Sequence, residues 1–350
     1  MIISASRRTD IPAFYSEWFF NRLKEGYALI PNPRNPGRLG RVELTINNVD
    51  CIVFWTKNPS AIFDKLWQLD SLGYCYYIQF TLTPYDKGIE TDLLPKPQLL
   101  QAFLKMSKQI GAHRSVWRYD PIIIDSKHPV EWHIERFTEM CGSLQNYTER
   151  CFISFVDLYK SLSGKYSSLT NDEMITVASG FSKIANTHGI TLYTCAEEID
   201  LSGYGVEHGA CIDQKLIEKI IGQRITVKND TNQRTACCCI ESIDIGAYDT
   251  CSHGCSYCYA TSNKKAVLRR MAVHDPKAPM LTGYPAGTEI ITDRTIVSQK
   301  NSQLDFNFAD NPAACYPLFE SRKAKIANNT ARVIASSLCA SSGGKPGYIK

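Results

Sequence analysis

Residues 51–59 read Cys-Ile-Val-Phe-Trp-Thr-Lys-Asn-Pro, a short apolar run with β-branched and aromatic residues that stops abruptly at polar residues and a proline. This is the pattern of a buried strand followed by a turn. Five further runs of the same kind occur in the first 200 residues, at 2–6, 76–80, 115–117, 151–156 and 191–195. The sequence therefore predicts six buried strands.

Helical periodicity lies between these strands, most clearly over residues 96–110, 133–144 and 171–188. Strands that alternate with helices indicate βαβ units and a parallel sheet. Six or more such units favour an α/β fold of the (β/α) TIM-like barrel type, although periodicity does not distinguish a closed barrel from an incomplete one. In such folds the carboxyl ends of the strands carry the functional residues.

Polar residues follow the predicted strands at that end, and five of them are candidate catalytic residues. Arg8 and Asp10 follow the first strand, and Lys57 follows the second. Arg118 and Asp120 follow the fourth, where Pro121 is expected to end the strand. Guanidinium and ammonium groups suit phosphate or carboxylate ligands. The alternative is structural: Arg8 with Asp10 and Arg118 with Asp120 as ion pairs, and Lys57 as a solvated surface residue.

A seventh strand is predicted over residues 241–248, and it leads directly into Cys-Ser-His-Gly-Cys-Ser-Tyr-Cys at residues 251–258. The spacing of Cys251, Cys255 and Cys258 suits three corners of a [4Fe–4S] cluster, with the fourth iron left for another ligand. A zinc site usually needs a second pair of Cys or His ligands, and ordinary core cysteines are the third interpretation. Gly254 gives the loop a residue that can adopt positive φ.

Three consecutive cysteines precede this motif, at residues 237–239. Alternate residues of an extended strand share a face, so Cys237 and Cys239 are candidates for a fourth thiolate on the same cluster. A fourth thiolate would saturate the iron, and without one the site would be open. Sulfurs within about 7 Å of one another would suit one cubane, given metal–thiolate bonds of about 2.3 Å.

Two further residues have alternative interpretations. Glu197 follows the sixth strand and is a candidate for binding a ligand amine or ribose, but an acid at an exposed helix N-terminus explains it equally well. His253 is either an iron ligand, a hydrogen-bond donor to a cluster sulfur, or an exposed loop residue.

The composition narrows the class of protein. The 350 residues are 44% hydrophobic and 21% charged, as in globular proteins, and the net charge of +4 is too small to indicate nucleic-acid binding by itself. No run approaches the roughly 18 apolar residues of a membrane span, and the N-terminus lacks a signal-peptide pattern. Fourteen cysteines without such a signal favour a reducing compartment, and the cytoplasm is expected.

The predicted organisation has three parts. Residues 1–205 form the (β/α) barrel, and residues 206–305 form a cysteine-rich iron–sulfur segment that completes it. Residues 306–350, which are small and polar, form a loosely ordered tail.

The cysteine spacing, with an aromatic residue before the last cysteine, resembles the radical S-adenosylmethionine superfamily. The sequence also resembles domain of unknown function family 1848, whose C-terminal cysteine cluster is similar to that of radical enzymes. The runs that carry this second resemblance are residues 4–12, 54–59, 117–121 and 255–260.

These resemblances imply a [4Fe–4S] cluster on Cys251, Cys255 and Cys258, S-adenosylmethionine on the open iron, and Tyr257 near its adenine. The motif follows the first barrel strand in most radical enzymes, whereas here it comes last, which implies a circularly permuted barrel. The sequence departs from the superfamily in lacking a Gly-Gly-Glu type segment for the methionine amino group.

The leading hypothesis is thus a radical enzyme that generates a 5′-deoxyadenosyl radical and acts on an unknown substrate. It would need an electron donor such as a ferredoxin or flavodoxin. The alternative is a non-radical cluster protein whose iron is saturated by Cys237 or Cys239 and whose barrel binds a nucleotide or nucleic acid.

Overall fold

A computed structural model describes residues 1–159, 162, 164–294 and 297–301. The predicted tail of residues 306–350 lies outside the described residues. In chain order the strands are β1 (Ile2–Ala5), β2 (Tyr27–Asn32), β3 (Asn35–Glu43), β4 (Cys51–Thr56), β5 (Tyr76–Thr81), β6 (Ser115–Ile122), β7 (Arg150–Phe155), β8 (Thr191–Cys195), β9 (Glu207–Gly209), β10 (Ile243–Asp244) and β11 (Ile290–Asp293). The α-helices are α1 (Ile11–Phe14), α2 (Ser16–Glu25), α3 (Leu66–Ser71), α4 (Lys96–Ile110), α5 (Val130–Leu144), α6 (Asn171–Thr187), α7 (Gln214–Ile221) and α8 (Lys264–Ala272).

Eight strands form one parallel sheet in the order β10-β1-β4-β5-β6-β7-β8-β9. The six predicted strands are its centre; five of them are buried on both faces, as parallel sheets require, while one face of β8 is partly exposed. The predicted helices match α4, α5 and α6, and α6 begins at a capping box between Thr170 and Glu173. The expected α/β class is confirmed.

The sheet is open in the described part of the chain, so a closed TIM barrel is not what these strands form. Its edges are β9 and β10, which are only three and two residues long. Of the seventh strand predicted over residues 241–248, only the two residues of β10 belong to the sheet. Residues 228–240 run irregularly beyond β9, and the Ile240 N–H donates to the Ile212 carbonyl at 3.2 Å. Strand β10, last of the eight in sequence, pairs with β1.

Two local features differ from the sequence-based expectation. Strand β6 continues through Pro121 to Ile122, and its register with β7 shifts there because proline has no N–H to donate. A second, three-stranded sheet of β11, β3 and β2 was not predicted, because its Pro- and Gly-rich sequence at residues 31–40 is typical of a loop.

Among the described residues, no helix has the length and apolar character needed to cross a bilayer.

Candidate functional site

A cavity of about 490 Å³ lies at the carboxyl ends of the parallel strands. Its walls include Arg8 and Asp10 from the segment after β1, Lys57 after β4, and Arg118 and Asp120 on β6. All five predicted candidate residues therefore meet at one cavity. This follows from the parallel sheet, which directs every strand's carboxyl end to the same rim.

The cysteine loop forms another wall of this cavity. Cys251, Cys255 and Cys258 all line it and are half-buried. Gly254 adopts φ +68°, and the Cys258 N–H donates to the Cys255 carbonyl at 3.1 Å. The loop thus turns tightly and directs three thiols toward the cavity.

His253 is buried and anchors this loop to the first strand. Its Nε2 lies 2.7 Å from Oδ2 of Asp10, and the same oxygen accepts the Lys57 N–H at 2.7 Å. The other carboxylate oxygen caps α1 by accepting the Ala13 N–H. The interpretation of His253 as an exposed loop residue is therefore wrong. The predicted ion pair between Arg8 and Asp10 does not form either, because Asp10 pairs with His253 and Arg8 stacks over the ring of Tyr248 at 5.1 Å.

Glu90 lies behind the cavity wall, where it binds two lining residues, Lys57 and Tyr257, and the sequence did not identify it. The carboxylate is 1% exposed, binds Lys57 Nζ at 2.7 Å, and also pairs with Lys96 and the Tyr257 hydroxyl. Burial opposes its ionisation, but the two lysines outweigh burial and hold the pKa of Glu90 at about 2. Tyr257, predicted to lie near a bound adenine, lines the cavity with Lys57 Nζ 5.4 Å from its ring centre.

Arg118 and Asp120 form an ion pair within the cavity wall, as the structural interpretation anticipated. Asp120 also accepts the Ser154 hydroxyl. Arg118 Nη1 lies 3.0 Å from Gln79 Oε1 and 2.7 Å from Sγ of Cys211. Burial opposes the charge on Arg118, yet the Cys211 sulfur and Asp120 raise its pKa above the ordinary value.

A second group of cysteines lines the same cavity. The Sγ atoms of Cys195, Cys211 and Cys239, all buried, lie within 4.8 Å of one another, and this group could hold a metal ion. Cys237 also lines the cavity and hydrogen-bonds with Cys195 and Cys239. The contacts of Cys237 and Cys239 are thus with Cys195 and Cys211, which the sequence had not singled out. Of these two cysteines, only Cys195 had a signal in the sequence, namely its position at the end of β8.

The electrostatics of this second group favour a thiolate at Cys239 alone, because hydrogen bonds to the Cys239 sulfur and burial raise the pKa values of the Cys195, Cys211 and Cys237 thiols. Hydrogen bonds from the neighbouring thiols of Cys195, Cys211 and Cys237 lower the pKa of Cys239 well below its ordinary value, and the positive charge of Arg7 contributes. Burial opposes the charge of Arg7, and these cysteines more than offset that effect by raising its pKa.

Glu197 lies beside the cavity and is not among the residues that line it. Its carboxylate accepts the Phe155 N–H at 3.0 Å, and burial raises its pKa to about 7. Residues 196–201, which follow β8, are not helical, so the helix N-terminus interpretation of Glu197 is wrong.

The cysteine loop supplies three thiols, the number of protein ligands that a [4Fe–4S] cluster with one open iron needs. Its three half-buried thiols open onto a cavity with room for a ligand. The described motif sulfurs are not grouped within 4.8 Å, whereas one ion with thiolate bonds of about 2.3 Å requires sulfurs about 3.8 Å apart. Cys251, Cys255 and Cys258 could therefore hold a cluster, and the tighter group could hold one ion.

A family model described as Domain of unknown function (DUF1848) matches residues 2–260. The chain belongs to this family. The DUF1848 match begins at β1 and ends two residues after Cys258, so it contains every cavity residue described above. Comparison with curated proteins and comparison with solved structures each find no match.

Proposed function

We propose that this protein is an iron–sulfur enzyme of the radical S-adenosylmethionine type. One observation carries the proposal: the three motif cysteines open onto the same cavity as the charged strand ends. Cofactor and substrate can therefore meet there. The position of β10 beside β1 supports the idea that the fold is a permuted and open relative of the radical-enzyme barrel.

In this proposal Cys251, Cys255 and Cys258 hold a [4Fe–4S] cluster. The chemistry that such a cluster supplies when bound and reduced is one electron, which cleaves S-adenosylmethionine into methionine and a 5′-deoxyadenosyl radical. The fourth iron stays available because Cys237 and Cys239 contact Cys195 and Cys211. These contacts disfavour the alternative of a saturated, non-radical cluster.

The protein's own residues bind and orient the ligands. Tyr257 presents an aromatic ring to the cavity, and its hydroxyl is fixed by Glu90, so the ring can pack against adenine. Glu197 lies beside the cavity, next to the lining residue Ala196, and is the proposed partner of the methionine amino group, which would have to pass Ala196 to reach it. Arg8 and Lys57 are cations suited to an acidic substrate.

The remaining components follow from this chemistry. An external donor of the ferredoxin or flavodoxin class would supply the electron. The cytoplasm is the proposed compartment, since none of the twelve described cysteines is in a disulfide bond and a reducing environment keeps thiols in that state.

The test is the formation of 5′-deoxyadenosine. Full-length protein, reconstituted anaerobically with iron and sulfide and reduced with dithionite, is expected to convert S-adenosylmethionine to 5′-deoxyadenosine and methionine. Cys255→Ala should abolish this product, and the matched control Cys75→Ala, at a half-buried cysteine outside the cavity lining, should not. Absence of the product from wild-type protein with an intact [4Fe–4S] signal would contradict the proposal.

A further inference from the structure

We propose that Cys195, Cys211, Cys237 and Cys239 form a tetrathiolate site for one zinc ion, separate from the cysteine motif at residues 251–258. The bound ion would fix the segment that covers the side of the parallel sheet between its two edge strands. It does not depend on the radical chemistry, because it shares no ligand with the motif.

The spacing of the sulfurs selects a single ion. Tetrahedral thiolate ligands with bonds of about 2.3 Å lie about 3.8 Å apart and cannot be separated by more than about 4.6 Å. Cys195, Cys211 and Cys239 lie within 4.8 Å of one another, close to this limit before any contraction by a metal. Cys237 is within hydrogen-bonding reach of two of them and supplies the fourth donor. A cubane would require wider separations.

Hydrogen-bond donors surround the four sulfurs, as they commonly do around metal-bound thiolates. The Ile212 N–H donates to Sγ of Cys239 and the Cys239 N–H donates to Sγ of Cys237, each at 3.4 Å. Such bonds orient ligands and stabilise negative sulfur. Arg118 Nη1 contacts Sγ of Cys211 at 2.7 Å.

A largely buried cation, Arg7, lies close to all four sulfurs. Four thiolates around Zn²⁺ carry a net charge of about −2, which is costly in a buried position without nearby cations. Arg7 interacts electrostatically with all four cysteines, and its buried Nη2 atom has no hydrogen-bond partner among the described residues. Zinc suits this set because it prefers a tetrahedral site and, with four protein ligands, is structural.

The positions of the ligands give the ion a structural role. Cys195 ends β8, Cys211 follows β9, and Cys237 and Cys239 lie in the irregular segment that runs from β9 toward β10. Strands β9 and β10 are too short to hold this segment with a regular ladder. One ion bound to all four residues would fix the segment and the cavity wall it forms.

The test is the zinc content and coordination of full-length protein purified anaerobically without added chelator. We expect about one zinc per chain by elemental analysis, and X-ray absorption at the zinc edge should show four sulfurs at about 2.3 Å. Cys211→Ser should lower the zinc to below about a tenth of an equivalent. Cys75→Ser and the motif variant Cys255→Ala should keep the full equivalent.

Four results would overturn the proposal. These are protein without stoichiometric zinc, zinc bound through nitrogen or oxygen, full zinc in Cys211→Ser, and four-iron content that depends on Cys211. If Cys211→Ser does not fold, the zinc-edge spectrum of wild-type protein decides by itself. Loss of 5′-deoxyadenosine formation with zinc intact would contradict only the radical function, so the two failures are distinguishable.

Discussion

Glu90 is a buried carboxylate that holds two residues of the cavity wall, Lys57 and Tyr257, from behind. Lys57, Lys96, Thr83 and Tyr257 all bond to its two oxygens. Burial of an unpaired carboxylate is unfavourable, but two cations and two hydroxyls satisfy this one. Removing the charge should therefore affect both stability and the cavity.

Glu90→Gln is expected to lower the free energy of unfolding by about 3 kcal/mol, because it leaves two lysine ammonium groups without a counter-charge. Chemical denaturation at neutral pH measures the change. Glu149→Gln is the matched control: its partner Lys219 is exposed, and such a surface pair contributes less than about 1 kcal/mol. Equal effects of the two substitutions would contradict the assigned role of Glu90.

The pH dependence of this contribution has a definite sign. The folded-state pKa of Glu90, about 2, is below that of an unfolded glutamate, near 4.5. Its stabilisation is fully present above pH 4.5 and disappears as the pH falls toward 2. Acid titration of wild-type protein and Glu90→Gln should converge over that window, and a constant difference would be inconsistent with the pairing.

Glu197 should behave in the opposite way. Because burial raises its folded pKa to about 7, its contribution favours folding below pH 4.5 and is lost as the pH rises to 7. Glu197→Gln is therefore expected to be more stable than wild type at pH 8, by about 1–2 kcal/mol after screening, and nearly equal at pH 5. Denaturant unfolding at both pH values tests this, and a pH-independent difference would contradict it.

Some site residues were predictable because they follow strands. Lys57, Arg118 and Asp10 were found from a polar residue after a buried run. Glu90 was not, because it lies in the irregular segment between β5 and α4 and reaches the site only through tertiary contacts. Cys211 was missed for the same reason, since no local pattern relates it to Cys237 and Cys239.

The cysteine loop is held by another loop and not by a long strand. The Ser256 N–H donates to the Ile89 carbonyl at 2.9 Å, and the Asp92 N–H donates to the His253 carbonyl at 3.0 Å. Residues 89–92 therefore fix the motif, and Gly254 lies between these two bonds. A Cβ added there would approach Asp92 Oδ2 at 2.9 Å.

Gly254→Ala is expected to reduce the iron bound after anaerobic reconstitution by at least half, since the loop must distort to relieve both the positive φ and the close contact. Gly222→Ala is the control, because Gly222 also has positive φ but a Cβ there meets nothing within 4 Å. Both variants should lose about 1–2 kcal/mol of stability, and only Gly254→Ala should lose iron. Iron retention equal to that of Gly222→Ala would contradict this constraint.

Central strands and long helices were predictable from sequence because each has a strong local pattern. Strands β4 to β8 each contain a short run rich in apolar, β-branched and aromatic residues, and α4 has an amphipathic sequence over fifteen residues. The edge strand β10 is short because Ser4, Ser6 and the Arg7 N–H all bind the side chain of Asp244, which replaces further ladder pairing. Side-chain pairing of this kind has no local sequence signature.

At the scale of the whole molecule, the sheet ends in two short edge strands, β9 and β10, and the cavity lies between the segments next to these two strands. Residues 228–240 cover this side through a few backbone bonds, including Asp230 N–H to the Cys239 carbonyl at 2.9 Å. Closure of a sheet depends on contacts between distant parts of the chain. Strand periodicity therefore predicted the individual strands of the sheet, but not how the two edges of the sheet are arranged and covered.

The proposed zinc ion should control the order of this side. Removal of zinc with a thiol-reactive mercurial, followed by thiol and chelator treatment, is expected to increase amide hydrogen exchange at residues 228–240 at least tenfold, while β4 to β7 stay protected. Mass spectrometry of peptic fragments measures it. Cys75→Ser treated identically controls for thiol modification elsewhere, and unchanged exchange at residues 228–240 would contradict a structural ion.

The pairing of β10 with β1 also imposes an order of events during synthesis. The ribosome makes seven strands of the parallel sheet before β10, so the elements that flank the cavity can fold while the motif cysteines are still untranslated. In the proposed function, iron is captured only after that late segment has emerged and docked beside the first strand. Cofactor loading would then follow the folding of the central sheet.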